Sequence, residues 1–376
     1  MDRLVTGERK SLTRSAVYHC IYEEKEPLSK QDIARKLNLS FPTVYDSISD
    51  LLASGLIEYC GFRQSSGGRP AQCLRPVMNA RSAIGISISS HRLRFVATDL
   101  GKQVNAYKDI RHSLNVEEPA FRPYIANQLE LFIDENRIDR SRLLGVGITL
   151  AGLILPGSNT VFYAPTLYLK DLSLHDLLKA IPYPAFIEND ANSGGFAEWY
   201  TSDTDEKNIA YLMLETGVGG SVLVNGAPYR GDHNRSGEFG HMCVELNGRE
   251  CACGKRGCLE AYCSEKRFRS DMGLSAAEFF AKLRENDPDA VTLFEDYKRR
   301  LVTAILNIRL SLDCDIVLGG FISEYLEPYL TDLRSLLIEA NPFDSDAGYL
   351  RIDRSPRYST MLGVAFMYIR DFLNSL

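Results

Sequence analysis

Over the first 81 residues, apolar side chains recur at helical spacing in three short runs: SLTRSAVYHCIYEE from Ser11, SKQDIARKLNL from Ser29 and SFPTVYDSISDLLASG from Ser40. Each run opens on a serine able to cap a first turn. Ser29 and Asp32 stand at capping-box spacing, and Pro42 falls in a first turn, where its missing N–H is harmless. In the third run the 3.6-residue period puts Val44, Ile48, Leu51 and Leu52 on one face and turns Thr43, Tyr45, Asp46 and Ser49 outward. Period-two segments follow: LIEYCGF, then RQSSGGRPA, then QCLRPV, a hairpin whose glycine-rich tip carries Arg63 and Arg69. Three helices and a hairpin wing predict a winged helix-turn-helix over residues 1–81. In such a module the third helix enters the major groove, with Ser40, Thr43, Tyr45 and Ser49 near base edges and the wing arginines on phosphate or in the minor groove. Helical spacing alone also fits a three-helix protein-interaction module; the turn NLSFPT and the wing favour duplex DNA.

From residue 82 the pattern changes to strands alternating with helices. SAIGISISSHRLRFVATDLGKQV predicts two strands and a turn, and LLGVGITLAGLIL a buried β-branched strand. NIAYLMLETGVGGSVLVNGAPYRG predicts a hairpin bent at a glycine turn, and CDIVLGGFISEY a buried strand running into a Gly-Gly turn. The mixture is α/β with more than one sheet.

Composition narrows the class. A chain of 376 residues, 45% hydrophobic and 24% charged, has enough material for two or three cores. Its most apolar late stretch, MLGVAFMYI, is too short to span a bilayer, so the expectation is a cytoplasmic protein that does not enter the membrane. The net charge of −6 is unevenly spread: residues 1–81 hold 12 Lys and Arg against 9 Asp and Glu, and the rest 31 against 40. A basic head on an acidic body fits a head that alone meets a polyanion.

The nine cysteines are clustered rather than laid out as a disulfide framework. In GEFGHMCVELNGRECACGKRGCLE, His241, Cys251, Cys253 and Cys258 follow the spacing H-x9-C-x-C-x4-C. Three thiolates and an imidazole complete a tetrahedral zinc set with no open position, so the expected metal is structural. Chance free thiols are the alternative, and Cys243 and Cys263 are expected to be buried apolar groups instead of ligands. Glu238, Glu260, Asn189 and Asp190 are carboxylates and amides that zinc does not need. Gathered on a stiffened loop, such groups suit a polyhydroxylated ligand.

The stretch SGEFGHMCVELNGRECACGKRGCLEAY resembles the signature of the ROK family of repressors, open reading frames and sugar kinases. Agreement extends along most of the chain. LLGVGITLAGLIL resembles the family's first sugar loop, with Ala151 where Pro is usual, ENDAN the catalytic loop, ETGVGG the second phosphate loop, and LGGF the nucleoside side. The head resembles the winged helix of the repressor branch. The resemblance implies an actin-like (ribonuclease H-like) two-lobe sugar kinase/ATPase fold, with lobes at 82–188 plus 355–376 and at 189–354. It implies that Gly152, Asn189, Asp190, Glu238, His241 and Glu260 face a sugar, that Asp190 stands at the position of the catalytic base, and that His241, Cys251, Cys253 and Cys258 hold zinc.

Kinases of the family open on Asp-x-Gly-Gly-Thr. Here Ser87 replaces the Asp, Ser89 and Ser90 the glycines, and His91 the Thr. Phosphoryl transfer rests on positioning and charge stabilisation of phosphates, so loss of both predicts no enzyme activity. Gly217, Gly219 and Gly220 of the second loop remain, either for residual nucleotide or for a tight hairpin. The expectation is a sugar-responsive regulator, a repressor of carbohydrate genes, that binds operator DNA as a homodimer with pairing into a tetramer left open. Its effector would be a sugar or sugar phosphate. An ATP-dependent hexose kinase and a repressor relieved by a protein partner are the alternatives.

Overall fold

The computed structural model describes residues 2–63, 70–155, 158–202 and 207–376. The head comprises α1 (Asp2–Tyr22), β1 (Leu28–Ser29), α2 (Lys30–Leu37), α3 (Phe41–Ala53), β2 (Ile57–Arg63) and β3 (Ala71–Pro76), its strands ordered β1-β3-β2. Ser29 and Asp32 form the expected capping box, with Asp32 N donating to Ser29 Oγ at 3.2 Å. Ser40 caps α3 by accepting from Thr43 N at 3.4 Å. Two expectations are corrected. Helix α1 begins well before Ser11, because no proline interrupts the preceding residues, so Ser11 lies inside the helix. On α3 the buried face is Val44, Ser47, Ile48 and Leu51, with Leu52 only partly covered. Ser47 is tolerated inside because its hydroxyl donates to Thr43 O at 3.1 Å. The wing strands pair as predicted; its tip, Arg69 and the side chain of Arg63 lie outside the described residues.

Next come β4 (Ser82–Ile88), β5 (Arg92–Asp99), β6 (Val104–Arg111), α4 (Phe121–Glu135), β7 (Leu143–Leu150), β8 (Leu153–Leu155), β9 (Thr160–Ala164), β10 (Leu169–Ser173), α5 (His175–Lys179) and β11 (Ala185–Asn189). Five of the strands form a sheet ordered β11-β7-β4-β5-β6, and β8, β9 and β10 form a small antiparallel one. Ile84, Ile86, Leu93 and Phe95 on one face of the large sheet share a core with Phe121, Ile125, Leu129 and Phe132 of α4. The predicted single strand LLGVGITLAGLIL is two strands. They break at Gly152, where a Cβ would come 2.6 Å from Ala164 Cβ and 2.9 Å from Tyr163 O as β9 crosses.

Helix α6 (Asp190–Tyr200) leads into β12 (Asn208–Leu214), β13 (Val218–Val224) and β14 (Ala227–Pro228). Then come α7 (Glu260–Cys263), α8 (Glu265–Met272), α9 (Ala276–Arg284), α10 (Pro288–Leu312), β15 (Asp315–Gly319), α11 (Ser323–Leu326), α12 (Leu330–Ala340), β16 (Leu350–Ile352) and α13 (Ser359–Asn374). The second five-stranded sheet runs β14-β13-β12-β15-β16, its core filled by the aromatic faces of α8, α9 and α10. Helix α13 returns to the first sheet. A Cβ on Gly85 of β4 would meet Met361 O at 1.9 Å, and one on Gly363 would meet Ser193 O of α6 at 1.8 Å, so α13 lies directly on both. The head docks on the far end of α13. Arg14 Nη2 and Ser11 Oγ donate to Leu376 O at 3.0 and 3.2 Å, His19 Nε2 lies 3.3 Å from Leu373 O, and the Tyr22 hydroxyl donates to Leu100 O at 2.6 Å. One apolar core runs without a break from Val17 and Tyr18 of α1 to Phe366 and Ile369 of α13 and Phe196 of α6.

Candidate functional site

His241 ends a short 3-10 turn (Phe239–His241), and the cysteines follow on a loop pinned by backbone bonds such as Val244 N to Gly257 O at 2.8 Å. Gly254 and Gly257 have φ of +86° and +80°, and a Cβ on Gly257 would lie 1.7 Å from Glu245 O. Only glycine fits there. These turns bring one donor atom from each of His241, Cys251, Cys253 and Cys258 to within 4.8 Å of one another. Cys251 Sγ is 3.8 Å from His241 Nδ1, and Cys253 Sγ is 3.7 Å from Cys258 Sγ. A tetrahedral ion with bonds of about 2.0–2.3 Å has edges of nearly that length, so the donor set fits one closed metal site. Cys263 is buried as expected, its Sγ 3.7 Å from Tyr297 O, but Cys243 is exposed on the loop's outer side. Across the isolated backbone bridge that joins the two, Cys258 is buried and Cys243 is left exposed.

A narrow cleft beside the cluster is lined by Gly152, Leu153, Asn189, Asn192, Arg230, Asn234, Ser236 and Glu238. Three of the six sugar candidates, Gly152, Asn189 and Glu238, are in this wall. Asn189 is partly occupied: its Nδ2 donates to Gly152 O at 3.0 Å and its Oδ1 caps α6 at Asn192 N at 2.9 Å. Asp190 is the first residue of α6. Burial, reinforced by the negative charge of Glu215, pushes its carboxyl up to about 7. Burial likewise raises Glu215 and Glu238, the latter opposed by His241 and reinforced by Glu260. Glu260 closes the far side, its Oε2 accepting from Val218 N at 3.1 Å and its Oε1 from Lys266 Nζ at 3.2 Å. Asp190, His241 and Glu260 therefore adjoin the cleft without lining its narrow part.

Sequence reasoning missed Arg230, Asn234, Ser236 and Glu215. Arg230 makes a forked pair with the buried Glu188, at 3.1 Å and 2.5 Å, and Glu188 also accepts from Asn192 Nδ2 at 3.2 Å. For the first three the only signal was the polar run YRGDHNRSGE, and Glu215 opens the ETGVGG stretch without having been singled out. The polar run carries no periodicity, because an irregular loop positions it.

In the first hairpin β4 ends at Ile88 and Ser89 N donates to Arg92 O at 3.0 Å, a turn made without left-handed backbone at residues 87–91. The second hairpin differs. A Cβ at Gly217 would lie 2.8 Å from Glu260 Oε2, at Gly219 3.2 Å from Met213 Cε, and at Gly220 2.4 Å from Phe239 Cδ2. Packing alone requires glycine at 220. In the head, Thr43, Tyr45, Ser49 and Ser40 are all exposed as predicted, Tyr45 by 51% with Lys30 Nζ 4.5 Å above its ring. Ser40 and Thr43 hydroxyls bond each other at 2.7 Å, and Ser49 Oγ donates to Tyr45 O at 2.9 Å.

Several known proteins are similar to this chain. The chain is 28% identical over 355 residues to the xylose repressor of Bacillus subtilis (strain 168), covering 91% of this chain and 86% of that one. It is 33% identical over 251 residues to the xylose repressor of Bacillus spizizenii, covering 65% of this chain and 63% of that relative's length. With the transcriptional dual regulator NagC of Escherichia coli (strain K12) it shares 27% over 253 residues, 67% of this chain and 62% of that one. A ROK family transcriptional regulator, a homolog of the E. coli MLC protein, superposes with a TM-score of 0.77 at 23% identity, covering 97% of both chains. A ROK glucokinase of Streptomyces griseus, solved with glucose and AMPPNP, superposes with a TM-score of 0.64 at 21% identity, over 77% of this chain and 99% of that one. These likenesses establish the actin-like kinase fold preceded by a helical head. Residues 83–342, spanning both sheets and the cysteine loop, match the ROK family, and the chain belongs to it.

Proposed function

We propose that the protein is a sugar-responsive transcriptional repressor that binds operator DNA through the head and a sugar or sugar phosphate in the cleft. The observation that carries this reading is the reach of the likeness to a protein named a xylose repressor. At 91% of this chain it extends past residues 83–376 into the head. The geometry supports a mechanism. Asp190 opens α6, α6 lies along α13, and α13 ends on α1 of the head. Sugar that favours one arrangement of the lobes would shift α13 and, in a homodimer, reset the two winged helices. Such a shift needs unequal affinity for the two states.

We take residues 1–81, 82–188 with 355–376, and 189–354 as the working units. Gly152, Asn189, Asp190, Glu238, His241 and Glu260 are proposed to face the sugar, and Ser40, Thr43, Tyr45, Ser49, Arg63 and Arg69 the DNA. His241, Cys251, Cys253 and Cys258 would hold a structural zinc. Coordination through His241 Nδ1, the nitrogen nearer Cys251, leaves Nε2 for a hydroxyl. The protein is proposed to be cytoplasmic and without enzyme activity, since Ser87, Ser89 and Ser90 offer neither metal anchor nor glycine cradle. No helix among the described residues is long and apolar enough to cross a membrane.

A panel of sugars and sugar phosphates tested by thermal shift and operator binding decides the matter. An effector at about a hundred times its dissociation constant stabilises the protein by about 2.7 kcal/mol. It also releases operator at fixed salt, and Glu238→Gln loses both responses. Sugar-independent operator binding would overturn the induction reading. Likeness to the glucokinase fold favours one rival, a hexose kinase, which sugar-dependent ADP release from magnesium ATP would establish.

A further inference from the structure

We propose that Lys30 is a phosphate-binding residue of the head, its ammonium seated on the rings of Tyr45 and Tyr59 where α3 meets β2. The proposal rests on the reading of the head as a DNA-binding module and adds to it a contact that reads no base.

Most of the positive charge in residues 1–81 is used inside the protein. Lys10 pairs with Asp50 at 3.2 Å and Arg75 with Glu58 at 2.6 Å. Arg35 pairs with Asp32, and Lys36 with Glu24. Arg14 donates to Leu376 O, and the Arg81 guanidinium lies 5.2 Å from the ring centre of Phe372, so both are turned toward the C-terminal end of the chain. Among the described side chains of the head that leaves Lys25 and Lys30, neither of them paired with a carboxylate.

Of these two, Lys30 has an aromatic seat. It is the first residue of α2, directly after the capping box at Ser29. Its Nζ lies 4.5 Å from the ring centre of Tyr45 and 5.6 Å from that of Tyr59. An ammonium within about 6 Å of an aromatic centroid is attracted by the negative face of the ring. A ring holds a cation differently from a carboxylate: it gives the ammonium a position and leaves its charge unneutralised. The N–H donors of such a lysine remain suited to an anionic oxygen.

The seat is open to solvent, with Tyr45 and Tyr59 exposed by 51% and 41%. Tyr45 belongs to the outward side of α3, with Thr43 and Ser49. On β2, strand alternation places Tyr59 on the face of Ile57, which is buried toward the helices, and places Glu58 with its register partner Arg75 on the opposite face. The ammonium therefore occupies the corner between the helix proposed for the major groove and the strand that runs toward the wing arginines. Phosphates border a groove that a helix enters, so a cation fixed at the flank of α3 meets the backbone and sets the register of the protein on the duplex without specifying sequence.

The test measures binding of the full-length protein to two duplexes over a range of salt: a random-sequence pool, and one sequence selected from that pool by the wild type. Lys30→Gln should weaken binding to both by the same factor, about five- to tenfold near ~0.1 M salt, and flatten the slope of log K against log salt by about one. Lys30→Arg should restore both. Lys25→Gln removes the same charge from a lysine without an aromatic seat and should leave the slope nearly unchanged. Tyr59→Phe keeps the ring and should bind as wild type, whereas Tyr59→Leu should weaken binding to both duplexes by a smaller factor than Lys30→Gln. Melting profiles check that each variant is folded. An unchanged slope in Lys30→Gln overturns the proposal, as do an equal loss in Lys25→Gln, a loss confined to the selected sequence, and wild-type binding by Tyr59→Leu. In each of those cases the wild type still binds DNA and the repressor reading stands. A wild type that binds neither duplex at low salt removes that reading and the proposal with it.

Discussion

Each of the two large sheets carries an antiparallel hairpin, β4–β5 and β12–β13, and the two are built differently. The first turn, Ser89 to His91, is polar and built from ordinary backbone, and at its base the Arg94 guanidinium reaches Ser87. The second keeps Gly217, Gly219 and Gly220, and each is crowded: by Glu260, by Met213 and by Phe239. Gly220 is thus held by packing, whatever binds there, whereas Gly217 and Gly219 meet only the movable ends of Glu260 and Met213. In the first turn the side chains at 89 and 90 are partly or fully exposed, so no packing fixes their size. A glycine in such a loop is therefore weak evidence of nucleotide.

Four outcomes would break or sharpen this contrast. The largest concerns the loop that backs the second hairpin. Removing its metal by chelation, or Cys251→Ser, should lower stability in urea by about 3–5 kcal/mol, because metal binding there is folding energy. An unchanged midpoint would mean that the cluster holds no ion. Next, Gly220→Ala forces a Cβ to within 2.4 Å of Phe239 Cδ2 and 2.7 Å of Gly237 O. It should destabilise by about 2–3 kcal/mol by overpacking; a neutral result would remove packing as the reason for that glycine.

Asp190 gives a pH-dependent difference. Its folded pKa of about 7 lies above the ordinary 3.8, so the folded state holds the proton more tightly and stability from this group falls as pH rises between those values. Asp190→Asn should match wild type below the lower value and exceed it at pH 8 by on the order of 1–2 kcal/mol. Equal stabilities across the range would show the carboxylate to be well solvated. Smallest of all, Ser89→Gly with Ser90→Gly should change stability by less than about 1 kcal/mol and leave sugar-dependent ADP release absent. Activity regained from glycines alone would show that the serines are what bar phosphoryl transfer.

Local chemistry was legible in the sequence. Ser29 with Asp32 and Ser40 with Pro42 marked two helix starts because caps act within a turn, and the cysteine spacing marked the donor set because its loop is short and closed. Ser11 misled for the same reason. It could cap, but no residue ahead of it stops a helix, and its hydroxyl instead meets Leu376. The exposure of Cys243 was missed because burial depends on what the rest of the chain brings alongside.

The sequence by itself determined the head of three helices and a hairpin, the alternation of strands and helices, the four candidate metal donors, and the absence of glycines between Ser87 and His91. All of these rest on composition or spacing over a few residues. Only the tertiary structure decided that Arg230 pairs with Glu188, that Arg94 reaches Ser87, and that α13 links α6 to α1. Those relations join strands and helices far apart in the chain, and they are set by register and by the burial of charge, which no local pattern encodes.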